Sequence, residues 1–157
     1  MNRSTKILLA IMAGFMVIQL KQPARNQSGQ VSQADKLYTT GLPKNIQMLL
    51  QNACFDCHSN NTSYPWYFNI QPVGWILARD IENAKAMLNF NELGSLSSRR
   101  QKSKLQDIEN RIKDGTMPLA MYQFMHPSAR LTNRDREMLL GWIDETKDSL
   151  SKHRSDH

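Results

Sequence analysis

Apolar residues recur at helical spacing in successive stretches of the chain, and no stretch alternates convincingly between apolar and polar at period two. The first opens near Pro43, a residue suited to the first turn of a helix, and carries Ile46, Leu49, Leu50 and Ala53. A second starts at Pro72 and carries Trp75, Ile76, Ile81, Ala84, Met87 and Leu88. After a Ser and Gly connection around Gly94 to Ser98, a third turns Leu105, Ile108 and Ile112 inward and ends at Gly115. The last has the clearest boundary, because Thr132 with Asp135 three residues on has the spacing of a capping box ahead of Met138, Leu139, Trp142 and Ile143. Between the first two, Ser59 to Gln71 is polar and aromatic, limited by Pro65 and Pro72, and reads as a structured loop carrying Tyr64, Trp66, Tyr67 and Phe68. The pattern predicts an all-α domain.

The amino terminus follows a different rule. Arg3 and Lys6 precede an apolar run from Ile7 to Leu20, broken only by Gly14 and Gln19, which is the layout of an export signal. At 1.5 Å per residue the run reaches about 21 Å, short of a hydrocarbon core of about 30 Å. No small-x-small cleavage site follows it, so residues 1–21 read as a signal peptide or signal anchor, with the anchor preferred and the domain held at the outer face of a membrane. Residues 22–36 are rich in Gln, Ser and Asn with almost nothing apolar and read as a flexible tether. Residues 37–150 then form one domain, and 151–157 a polar tail in which His153 and His157 are solvated.

Charge changes the picture by subtraction. The formal net charge of +6 suggests nucleic acid, yet four of the 20 basic residues precede residue 26, leaving 16 against 14 acidic ones. Phosphate recognition needs a dense basic surface, and the one candidate run, Arg99 to Lys104, reads as a solvated helix face. Nucleic acid is therefore excluded as a partner.

The chain's 2 cysteines stand together in Cys54-Phe55-Asp56-Cys57-His58, which rules out a disulfide framework and a four-cysteine zinc site. Two thiols about one turn apart can each form a thioether with the vinyl groups on one edge of a haem, and the next imidazole then reaches the iron. His58 is thus the expected proximal ligand, with Nε2 on the metal and Nδ1–H on a backbone carbonyl near Pro65 or Pro72. For the sixth ligand Met117 is preferred, because a thioether is a soft, neutral donor and Pro118 stiffens the loop presenting it. His126 is the alternative, and Met121 and Met125 are expected to fill space around the cofactor. Of the aromatic residues, Trp66 is expected at the haem edge, with its N–H available to a propionate.

The order of Cys54-x-x-Cys57-His58, Gly115-x-Met117-Pro118 and Leu131-Thr132-x-x-Asp135 resembles class I cytochromes c. More narrowly, Cys-x-x-Cys-His-Ser-Asn-x-Thr-x-Tyr-Pro-Trp-Tyr at 54–67, Met117-Pro118 and His126-Pro-x-Ala-x-Leu at 126–131 resemble a bacterial family described as haem-binding domain proteins. That resemblance spans residues 37 to 146 and implies haem binding in a cytochrome c-like helical fold with an amino-terminal hydrophobic helix. The family commonly has a second proline after Met-Pro, where this chain has Leu119. The expected function is one-electron transfer by a single covalent haem c between periplasmic or membrane redox partners, without enzymatic turnover. The alternative is a haem-based sensor or small peroxidase in which Met117 is displaced and His126 acts as a distal acid or base.

Overall fold

Helix formation follows the periodicity closely. In the computed structural model, which describes residues 2–28 and 41–152, the elements are α1 (Arg3–Ile18), α2 (Lys44–Ala53), α3 (Phe55–His58), α4 (Val73–Met87), α5 (Phe90–Leu93), α6 (Ser98–Lys113), α7 (Ala120–Met125) and α8 (Asn133–Lys152). Single 3-10 turns at Trp66–Asn69 and Pro127–Ala129 complete it, and the described residues contain an isolated bridge between Gln27 and Asn61 but no strand. The fold is all-α.

The core is built where the long helices cross. Ile46 and Leu50 of α2, Leu105 and Ile112 of α6, and Leu139 and Ile143 of α8 form one buried cluster, joined by Phe90 and Leu93 of α5. α6 and α8 share the most extensive contact, and α2 lies against α8 and the turn at Pro127–Ala129. α3 is too short to bury a face of its own and is carried on α2 and α4. Helix ends are set locally: Asp135 Oδ2 accepts from the Thr132 backbone N–H at 2.9 Å, and the Asp135 N–H donates to Thr132 Oγ1 at 3.2 Å, closing the expected capping box. Gly115, past the end of α6, takes φ +66°, a left-handed conformation that glycine enters at little cost.

Two findings bear on the amino terminus. α1 has 16 residues, about 24 Å of helix, buries none of its side chains, and no described helix is long and apolar enough to cross a membrane. Of the expected tether at 22–36, residues 22–28 are described and hydrogen-bonded to the rest of the protein, while 29–36 lie outside the described residues, as do His153 and His157 of the tail. Asn26 Nδ2 donates to Ser59 O at 2.8 Å and to Thr62 Oγ1 at 2.9 Å, and Arg25 Nη2 donates to Asn69 Oδ1 at 3.0 Å. Segments without apolar residues cannot order by hydrophobic burial. Here the amide side chains dock the segment by satisfying backbone groups of the 59–71 loop, a route that composition does not reveal.

Candidate functional site

Helical hydrogen bonding runs from α2 into the cysteine motif, since the Cys54 N–H donates to Leu50 O at 2.9 Å. Cys54 then departs from helical geometry at φ −130°, and the chain turns into α3, where the His58 N–H donates to Cys54 O at 2.9 Å. The two thiols are thereby set one turn apart with the imidazole directly after them. Both are free. Burial pushes the Cys54 thiol up to about 12, with Cys57 adding to it, and pushes Cys57 up to about 11, helped by the charges of Asp56 and Asp80. Neutral thiols of this kind lack the thiolate character that a dithiol redox centre requires.

His58 is oriented by a backbone carbonyl. Its Nδ1 lies 3.0 Å from the oxygen of Leu88, the residue at which α4 gives way to extended backbone and leaves carbonyls unpaired. A carbonyl only accepts, so Nδ1 carries the proton and Nε2 keeps its lone pair. Burial lowers the imidazole's proton affinity, partly opposed by the backbone bonds to Leu88 and Ala84, which favours the neutral ring a metal ligand must be. The carbonyl belongs to neither proline neighbourhood expected from sequence. Leu88 was legible only as an apolar helix position.

Cys54, Cys57 and His58 open onto a cavity of about 570 Å³, within the range of ~300–1,000 Å³ usual for cofactor sites. Phe90, Ile108, Ile112 and Leu131 give it apolar walls, and Met117, half-buried beside buried Pro118, completes the lining from the loop after α6. Asp80 of α4 and Lys104, Asp107 and Arg111 of α6 also line it. Among the described residues no cluster of three or more His, Cys, Asp and Glu side chains could hold a bare metal ion. One imidazole and one thioether on a single cavity suit iron that brings its own equatorial donors.

A family model for a haem-binding domain matches residues 13–145. The chain belongs to the haem-binding domain family. Haem is its ligand, and the cavity fits one in volume, apolar lining and donor set. No curated protein and no solved structure matches the chain.

Within this haem-binding domain the remaining expected residues fall elsewhere. Trp66 is 73% exposed and does not line the cavity, and Tyr64, Tyr67 and Trp75 do not line it either. Their polar groups serve packing within the protein: Trp75 Nε1 donates to Lys21 O at 2.8 Å, and Tyr64 Oη accepts from the Asn26 N–H at 2.6 Å. The aromatic loop therefore grips the amino-terminal segment. His126 is also outside the large cavity; its Nδ1 lies 3.2 Å from Tyr122 O, its ring stacks on Tyr122, and it lines a much smaller cleft beside Cys57. Met121 and Met125 are exposed and do not line the cavity.

Sequence reasoning missed Tyr122 and Asp56. Tyr122 lines the cavity and donates to Asp56 Oδ2 at 2.7 Å. Burial, then this bond to the carboxylate, pushes the phenol's pKa far up and keeps its proton in place. Nothing in the spacing of Tyr122 marks it, and Asp56 occupies a position where the cysteine motif accepts any residue.

Proposed function

We propose that this haem-binding domain is a c-type cytochrome that carries single electrons. In this reading Cys54 and Cys57 hold haem c through two thioethers, His58 Nε2 is the proximal ligand, and Met117 Sδ is the sixth. The observation that carries it is the convergence of two thiols one turn apart, a neutral imidazole fixed by Leu88 O, and a methionine thioether on one apolar cavity. The haem supplies one-electron chemistry when bound, through iron cycling between ferric and ferrous states. The chain's own contribution is to orient His58 through Leu88, to surround the group with Phe90, Ile108 and Ile112, and to exclude water from it. A His and Met pair raises the reduction potential relative to two imidazoles. Were His58 and Met117 both to hold the iron, no coordination site would stay open for substrate, which favours a carrier over a sensor or peroxidase. His126, turned to Tyr122 O, also lacks the position of a distal acid or base.

We place the domain outside the cytoplasm, in the periplasm or at the outer face of the inner membrane. Arg3 and Lys6 before the apolar run support export, and thiols held reduced until haem attachment belong to that compartment's maturation chemistry. Expression with a cytochrome c maturation system, followed by haem staining of a denaturing gel and reduced and oxidised spectra, tests the reading. Haem that stays with the chain and a low-spin, six-coordinate spectrum are expected. Haem lost on denaturation would overturn covalent attachment, and a five-coordinate ferrous form would overturn Met117 ligation.

A further inference from the structure

The loop that presents Met117 has one buried apolar residue, Pro118, beside Met117 itself. α7, which begins three residues after Met117, buries none of its six residues, and Met121 and Phe124 stand 73% and 70% exposed. Hydrophobic burial therefore does little to fix where α7 sits. Two bonds close within the segment, where Gln123 Nε2 donates to Pro118 O and the His126 N–H donates to Tyr122 O at 2.8 Å, and two tie it to the end of α6, where Arg111 O accepts from the Thr116 N–H at 3.1 Å and the Met117 N–H at 3.4 Å. These bonds shape the segment without attaching it to the cysteine motif across the cavity.

Tyr122 makes that attachment. Its phenol donates to Asp56 Oδ2 at 2.7 Å, with Asn52 O a second acceptor at 3.4 Å, and Asp56 directly precedes Cys57. Asp56 is itself held, with Oδ1 accepting from the Ser63 N–H at 3.1 Å and its carbonyl accepting from Thr62 Oγ1 at 2.6 Å. The Tyr122 ring also stacks on His126, with ring centroids 4.3 Å apart. Four residues lie between Met117 and Tyr122, the stiff Pro118 among them. We propose that the Tyr122–Asp56 hydrogen bond is a latch that holds the Met117 loop to the cysteine motif, making Tyr122 a positioning residue for the sixth iron ligand. The proposal rests on the reading of Met117 as that ligand.

Carbon monoxide is the probe, because it binds ferrous iron only where the sixth ligand has left, so its rate reports how often Met117 is released. The full chain, matured with haem, is compared with Tyr122→Phe, which keeps the ring stack on His126 and removes the phenol. Haem staining is expected to be unchanged and carbon monoxide binding about tenfold faster, the factor that accompanies loss of a hydrogen bond to a charged acceptor. Asp56→Leu, which removes the acceptor, is expected to match Tyr122→Phe. If Asp56→Leu does not retain haem, the Tyr122→Phe rate decides alone. An unchanged rate in Tyr122→Phe, beside rapid binding in Met117→Ala, would overturn the latch and leave Met117 as the ligand. Equal rates in wild type and Met117→Ala would instead overturn the Met117 reading, and the latch with it.

Discussion

A single short motif concentrates the chemistry of this chain at the residue scale, and each of its members has a separable role. Under the proposed attachment, each thioether saturates one vinyl group of the haem. Cys57→Ser should therefore leave a haem attached through Cys54 alone, with one vinyl returned to conjugation. The reduced absorption bands are expected to move to longer wavelength while gel staining persists; the double substitution of Cys54 and Cys57 should abolish staining. His58 depends on the Leu88 carbonyl for its tautomer, a dependence no side-chain substitution at 88 removes. That bond was foreseeable as a kind, since ligand imidazoles need a partner on the second nitrogen. Its partner was not, because which helix end offers a free carbonyl depends on how α4 stops relative to α3.

Elements divide by length in how well they could be read. α2, α4, α6 and α8 run long enough for helical periodicity to repeat, and their bounds follow the apolar pattern. α5 and α7, of four and six residues, complete less than two turns and leave no period to detect. α5 owes its start to Asn89, whose side chain accepts from the Asn91 N–H, in a polar run that reads equally as loop. Two element-scale changes test these local rules. Thr132→Ala should cost about 1 kcal/mol of unfolding free energy through loss of the α8 cap, measured by denaturant titration. Gly74→Ala should cost more, about 1–3 kcal/mol, because the added Cβ would run into the Phe68 carbonyl and the Gln71 amide.

For the whole molecule, the α6 and α8 interface carries both the core and a charge network. Glu109 on α6 pairs with Lys113 on the same helix and Lys147 on α8, and hydrogen bonds from Lys113 and then Lys147 pull its carboxyl from 4.5 down to about 2. A carboxyl whose folded pKa is depressed stabilises the fold fully above its unfolded value, and that contribution is lost as pH falls toward the folded value. Unfolding free energy is therefore expected to decline between about pH 4.5 and pH 2, and Glu109→Gln should flatten that limb while costing about 1 kcal/mol near neutrality. A pH series of denaturant titrations on both proteins checks this. Leu139→Ala, in the centre of the same interface, should cost about 2–5 kcal/mol at any pH, since it removes buried apolar volume rather than charge.

Composition and periodicity by themselves determined the all-α class, the long helices, the capping box and the cysteine and histidine cluster, because each is a rule acting within a few residues of chain. Only the tertiary structure decided which side chains meet around the cavity. It put Met117 there and left Trp66, His126, Met121 and Met125 outside, although all had suitable chemistry. It joined Asp56 to Tyr122 across 66 positions of sequence. It also docked residues 22–28, the described part of the stretch read as a tether at 22–36, because partners for Asn26 lie on a loop more than thirty residues away. Such pairings depend on where helices cross, and local pattern carries no record of that.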